Sequence, residues 1–404
     1  MTEGHGITRR TFLHGAPLAA FAAGCAIDQK SETTSDFGPL PRRTLGRTGL
    51  EITRLACGSV QERVLHAALD AGINYIDTAP CYPDWRGEAT VGKVLKARNT
   101  PRDQIVIATK IKKEHFSWVR PTPPKDYIES VEQSLKRIGT DYIDILVQHE
   151  AEFRDMNDEE VLDAFGKLKK AGKVRFLGAS NHSHHGSYAL DAAIEGDDYD
   201  MFMVVYNPFD AAQQLNEVLQ RAKERNVGVI AMKAIMLLKG AEHRSQNPNF
   251  IKEMHRRAEE QRRGLNLYQT SIAWVLGHDA ITSACITYGN VQELKEDIAA
   301  SNVQLSALER IGFQRYAQAL QGSVCDWCGA CLASCPNGVA IPDIARFSLY
   351  YHIAGDRDRA RKEYAHLQAD RRASNCADCG RCERTCPKRL PVRAMLREAE
   401  VILA

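Results

Sequence analysis

The sequence predicts an α/β protein: a closed (β/α)8 barrel followed by a smaller, mainly helical domain. Two observations predict it. From Arg42 to about residue 302, eight short β-branched runs alternate with segments whose apolar residues recur at i, i+3 and i+4. That alternation is the signature of βα units around a parallel sheet. Further on, eight of the 12 cysteines gather into two tight clusters, a pattern of metal ligation rather than of disulfides.

Taken in order, residues 1–30 read as an export signal. Thr8-Arg-Arg-Thr-Phe-Leu13 precedes a small, apolar run to Ala26, an arrangement that resembles a twin-arginine signal. The run is about 15 residues, short of the ~20 that span a bilayer. Ala22-Ala-Gly-Cys25 looks like a lipoprotein box, so Cys25 is either lipidated or lies beside an ordinary cleavage point at Gly24 or Ala26. The expected location is periplasmic or membrane-anchored. Residues 31–41 read as a linker, 42–302 as the barrel and 303–404 as the helical domain.

Within the barrel, Thr44-Leu-Gly-Arg-Thr-Gly-Leu-Glu-Ile52 has glycines placed for a turn between two short strands, which should plug the amino-terminal end. The candidate barrel strands are 52–57, 73–77, 105–110, 142–148, 174–179, 201–206, 228–232 and 281–286. Between them, stripes such as Val161, Phe165 and Leu168 give helices an apolar face for the barrel wall.

A parallel barrel gathers the carboxyl ends of its strands at one rim. Asp77, Tyr82, Lys110 and His149 all fall at or just beyond such ends. Taken singly, each has a structural explanation: a loop cap, a solvated strand end, a satisfied core histidine. Together they form a proton-transfer set. A phenol titrates near 10 and needs help at neutral pH, and a neighbouring ammonium favours its phenolate. Lys110 is placed to give that help while Asp77 keeps it charged. His149 would orient a carbonyl, and Tyr82 would deliver a proton as hydride reaches carbon.

On these residues, with Asp-Thr-Ala, Ala-Thr-Lys, Asp141-Tyr-Ile-Asp-Ile-Leu-Val-Gln-His149 and Gly172-Lys-Val-Arg-Phe-Leu-Gly-Ala-Ser-Asn181, the chain resembles the aldo-keto reductase family over residues 42–302. The resemblance implies a TIM barrel and the tetrad Asp77, Tyr82, Lys110, His149. It also implies that Ser180 and Asn181 hold a nicotinamide carboxamide and that Tyr206 stacks on the ring. Met203 stands where the family often has Gln. After the last strand, Asn290 is a helix N-cap with Glu293 three residues on, and such a helix start is a natural phosphate site. Gly289 and acidic Glu293 stand where the family usually offers a Ser or a basic residue. NAD(H) and NADP(H) both stay open, with the expectation moved towards NADH or weak dinucleotide binding. Lys233 is placed to reach a pyrophosphate or to sit at the surface.

The most specific motif is Cys325-x2-Cys328-x2-Cys331-x3-Cys335-Pro336, repeated as Cys376-x2-Cys379-x2-Cys382-x3-Cys386-Pro387. This is the bacterial ferredoxin spacing, in which the fourth cysteine of each run serves the other cluster. One [4Fe-4S] cluster is then assigned to Cys325, Cys328, Cys331 and Cys386, and the other to Cys376, Cys379, Cys382 and Cys335. Zinc fits the CxxC pairs but not the duplicated third and fourth cysteines. The region resembles a helix-bearing ferredoxin-type domain. Cys57, Cys81 and Cys285 read as small buried hydrophobes, with Cys81 alone worth testing for reactivity because it adjoins Tyr82.

A formal net charge of +2 lacks the basic footprint of a nucleic-acid binder. The expected partners are a small-molecule carbonyl or alcohol and a redox protein. The leading expectation is an oxidoreductase acting through Tyr82, with the clusters as relay or support. The other is an exported electron-transfer iron–sulfur protein whose barrel no longer binds nicotinamide.

Overall fold

The structure, a computed structural model, describes residues 40–82, 87–111, 126–151, 155–156, 158–182, 186–209, 211–244, 249, 251–253, 255–256 and 264–404. The expected export signal, Cys25 and the expected linker as far as residue 39 lie outside the described residues. Among the described residues no helix is long and apolar enough to cross a membrane.

Eight parallel strands close into a barrel: β3 (Leu55–Cys57), β4 (Tyr75–Asp77), β5 (Val106–Ile111), β6 (Ile143–Gln148), β7 (Val174–Asn181), β8 (Met201–Val205), β9 (Gly228–Met232) and β10 (Ser283–Ile286). Each falls on an expected run. β10 closes on β3 with Cys285 opposite Ala56. Parallel strands covered by helices are buried on both faces, which is why β5, β6 and β8 are buried at every residue.

The hairpin of β1 (Arg42–Thr44) and β2 (Glu51–Thr53) plugs the amino-terminal end. Gly46 makes the contact possible. It has φ +48°, and a Cβ there would meet the backbone nitrogen of Gly228 at 2.3 Å. The Arg47 amide donates to Asn226 O at 2.6 Å.

The surrounding helices start and stop where the sequence supplies caps. Asp126 accepts from the Glu129 amide at 2.8 Å to open the helix Tyr127–Ile138, and Gly139, φ +73°, ends it. Asn266 and Gln269 form a reciprocal capping box at the start of Leu267–Leu276, a helix buried on all sides.

The helix Ala307–Leu320 lies beyond the expected junction at 302. It buries Phe313, Tyr316 and Leu320 in the same apolar cluster as the barrel. The helices Ile341–His352, Arg357–His366 and Val392–Leu403 build the rest of the carboxyl-terminal domain around a second cluster. The two cores are joined, because Val324, Trp327, Ala345 and Leu349 belong to the barrel cluster.

Candidate active site and cysteine module

Asp77 ends β4, and Lys110 stands one residue before the end of the neighbouring β5, so the barrel sets them side by side. Lys110 Nζ donates to Asp77 Oδ1 at 2.5 Å and to Thr78 O at 2.8 Å. The turn after β4, closed by the Tyr82 amide on Ala79 O at 3.2 Å, brings the tyrosine back to the lysine. The ammonium lies 4.9 Å from the Tyr82 ring centroid.

Burial alone would lower the Lys110 ammonium, but Asp77 and Tyr82 outweigh it and the net direction is up. For Tyr82 burial is the larger effect. It raises the phenol further than Lys110 and Arg359 lower it. Lys110 favours the phenolate, as expected from the sequence, but desolvation outweighs it and holds the proton on Tyr82.

His149 follows β6, its amide donating to Ile111 O at 2.8 Å, which places it on the same rim. Its ring is edge-on to His182 at 5.8 Å. Ser180 and Asn181 end β7 and are buried. Ser180 Oγ accepts from the Glu150 amide at 3.2 Å and keeps its own proton to donate. Asn181 Nδ2 donates to Ala151 O at 2.7 Å. Tyr206 is buried, with its ring stacked on Trp274 at 5.4 Å between centroids.

The rim is covered by the carboxyl-terminal domain. Arg346 pairs with Glu150 and, at 2.9 Å, with Asp343. The Arg359 guanidinium lies 4.9 Å from the Tyr82 ring centroid and 4.6 Å from that of Tyr350. Lys233 turns to this domain as well, with Nζ 3.3 Å from the Tyr350 hydroxyl and 4.6 Å from the Trp327 ring. It therefore faces the first cysteine run. Lys233 and Trp327 both hold left-handed backbone, φ +59° and +63°, which non-glycine residues adopt at a cost.

The donor atoms of His149, Glu150 and His182 lie within 4.8 Å of one another, a spacing that a metal ion could use. The electrostatics oppose it. Burial, then Lys233, keep His182 a neutral imidazole, the form a metal needs, but Arg346 already neutralises Glu150. A cation placed there would meet Lys233, Arg346 and Arg359.

At the other end of the expected dinucleotide site, Asn290 caps the helix Val291–Ser301 through the Glu293 amide at 2.9 Å. The Glu293 carboxylate folds back and accepts from the Gly289 amide at 3.1 Å, while Lys239 lies 3.6 Å from it. The amide that would greet a phosphate is thus already bonded to a carboxylate.

Cys325, Cys328, Cys331 and Cys386 line one cavity in the carboxyl-terminal domain. A buried ion pair between Asp326 and Lys388, 2.6 Å, ties the first cysteine run to the tail of the second. Cys335, Cys376 and Cys382 pack against the domain's apolar cluster, and Cys379 is exposed. Of the remaining thiols, burial pushes Cys81 up to about 12, so it is not a ready thiolate. Cys57 and Cys285 are pushed up by burial too.

Sequence reasoning did not single out Glu150, His182, Tyr350, Arg346, Arg359 or Glu363 as site residues. One signal was present: Arg346 and Tyr350, like Arg359 and Glu363, are four apart and share a helix face. Nothing local says that this face meets a barrel rim.

The sequence profile of the aldo/keto reductase family matches residues 52–310, and that of a 4Fe-4S dicluster domain matches residues 324–390. The chain is 27% identical over 299 residues to YqkF of Bacillus subtilis, an uncharacterized oxidoreductase, covering 67% of this chain and 94% of that one. It is 28% identical to the L-galactose dehydrogenase of Arabidopsis thaliana over 299 residues, covering 68% and 90%. Among solved structures it is similar to the apo and holo forms of the aldo-keto reductase AKR11C1 from Bacillus halodurans. TM-scores are 0.54 and 0.55 at 24% identity, covering 69% of this chain and 97% of that one, a likeness of fold.

Proposed function

Because the chain belongs to the aldo/keto reductase family, we propose that it interconverts a small-molecule carbonyl and the matching alcohol, with Tyr82 as general acid and base. The observation that carries this is Lys110, held between the Asp77 carboxylate and the Tyr82 ring. In reduction, Tyr82 gives its proton to the carbonyl oxygen; the phenolate left behind is stabilised by the ammonium beside it. Asp77 keeps that ammonium charged and fixed. His149, on the same rim, orients the carbonyl. In alcohol oxidation the phenolate takes the proton back.

A nicotinamide, when bound, supplies or accepts the hydride. At its ring end the Ser180 hydroxyl and the Asn181 carboxamide are of the right kind for the amide, but Tyr206 is 1% exposed and already stacked on Trp274, so it presents no free face to the ring. The Gly289–Glu293 end fits less well with a 2'-phosphate, because Glu293 puts a negative charge on the helix start. This supports NADH over NADPH.

We infer two [4Fe-4S] clusters, one on Cys325, Cys328, Cys331 and Cys386, the other on Cys376, Cys379, Cys382 and Cys335. The shared cavity of the first four cysteines supports the crossed assignment. Such clusters carry one electron each way, whereas a nicotinamide carries two as hydride. The first set lies beside Trp327 and the barrel, and the second reaches the surface at Cys379. That placement suits single-electron exchange between a redox partner at the surface and the two clusters. We also propose export by the twin-arginine route, which carries folded proteins and so suits clusters assembled beforehand, with a lipid anchor at Cys25.

The second reading, an electron-transfer protein whose barrel does not take nicotinamide, is favoured by the Glu293 carboxylate at the helix start. Titrating the cluster-loaded protein with NADH and NADPH separates the two readings. Saturable binding of NADH supports the first. Tyr82→Phe should then lose carbonyl turnover, and unchanged turnover would refute the role of Tyr82.

A further inference from the structure

The carboxyl-terminal domain does more at the rim than cover it. Arg359, from the helix Arg357–His366, has a side chain only 14% exposed, and its Nε meets Glu363 Oε1 at 3.4 Å. Its two terminal amino groups have no hydrogen-bond acceptor among the described residues; the guanidinium touches only the Tyr82 and Tyr350 rings. Those amino groups keep a little contact with solvent and are open to an incoming acceptor. Of the other cations nearby, Lys110 is matched by Asp77 and Arg346 by Glu150, while Lys233 points to the Tyr350 hydroxyl. Arg359 alone presents an unfilled planar fork, and it does so beside the proton donor.

We propose that the site takes substrates carrying a carboxylate next to the reacting carbon, a 2-oxo acid or its 2-hydroxy acid, and that Arg359 is the residue that selects them. A guanidinium is shaped to receive a carboxylate through two parallel N–H···O bonds. Its Cζ lies 4.9 Å from the Tyr82 ring centroid, which favours a carboxylate close to the carbonyl that the phenol would serve over one at a distant end of the substrate. The iron–sulfur domain thereby supplies a wall of the substrate pocket. This inference rests on the carbonyl reading of Tyr82.

The test uses the full-length, cluster-loaded protein and a pair of nearly isosteric ketones, pyruvate and neutral 2,3-butanedione. Wild type should prefer pyruvate. Arg359→Gln should lower kcat/KM for pyruvate about 100-fold more than for 2,3-butanedione, the excess falling mostly on KM, while any loss shared by both ketones reports the effect of Arg359 on Tyr82. Arg359→Lys should recover part of the pyruvate activity, and it keeps the test open if the Gln variant misfolds. An equal loss on both ketones, or no preference in wild type, would overturn the proposal. Oxamate binding, followed by calorimetry, needs no turnover. If oxamate binds and Arg359→Gln weakens it at least tenfold while no carbonyl is turned over, carboxylate recognition stands and the carbonyl reading fails. If carbonyls turn over but oxamate binding ignores residue 359, carboxylate recognition fails alone.

Discussion

Glu293→Gln is the substitution that bears most directly on the cofactor. The wild-type carboxylate accepts from the Gly289 amide and lies within 4 Å of Lys239, so it occupies the spot an anionic ligand group would use. Two unit charges about 4 Å apart repel by ~1 kcal/mol in water and by ~4 kcal/mol at the effective dielectric of a protein surface. Glu293 is 37% exposed, which puts the penalty near the lower figure for each phosphate charge. For a doubly charged 2'-phosphate that is about 2 kcal/mol, or roughly 30-fold in affinity. The substitution removes the repulsion and frees Lys239 for the incoming phosphate. Affinity for NADPH should therefore rise about 10- to 100-fold, while NADH, which has no 2'-phosphate, should change only a few-fold. A fluorescence titration of both cofactors at ~0.1 M salt measures this, since at 4 Å the repulsion acts well inside the ~10 Å screening length. Tight NADPH binding by wild type, with no gain in the variant, would refute the electrostatic reasoning.

Further outcomes follow from the same geometry. Tyr82→Phe removes only the hydroxyl and should cut kcat for carbonyl reduction by about 100- to 10,000-fold, with an unchanged circular dichroism spectrum. Cys386→Ser should remove the cluster nearer the barrel, and Cys335→Ser the one reaching Cys379. Each should halve the iron from about eight to about four atoms per chain and leave a different low-temperature EPR spectrum. Asp297, 5% exposed, has its carboxyl raised by burial to about 7. A folded-state value above the unfolded one means that stability is lost as pH rises from about 4 to about 7. Asp297→Asn should thus raise the melting temperature at pH 8 and leave it nearly unchanged at pH 4. Gly92→Ala would place a Cβ 2.3 Å from Ile138 O, a backbone atom that cannot swing away, so a loss of about 1–3 kcal/mol in denaturant titration is expected.

The barrel was legible because its signals are local. Each strand is a β-branched run, each helix an apolar stripe with a cap, and the cysteine spacing is a chemical pattern written along a few residues. The tetrad was legible for a related reason: a parallel barrel brings all carboxyl ends to one rim, so position along a strand becomes position in the site. What the sequence could not tell was how these groups bear on one another. That Tyr82 stays protonated despite Lys110 depends on burial, which the whole rim decides. That Lys233 turns to Trp327 and Tyr350, and that Glu293 covers the Gly289 amide, are choices among possible partners. Arg346 and Arg359 lie more than 190 residues from Glu150 and more than 270 from Tyr82 along the chain. Their arrival over the site comes from packing Trp327, Ala345 and Leu349 into the barrel's apolar cluster. By itself, then, the sequence determined the barrel architecture and the 4Fe-4S dicluster region, and pointed to four polar residues at one rim. The tertiary structure alone decided what closes the pocket, because contacts between distant segments are set by how two apolar surfaces dock and not by any pattern within either one.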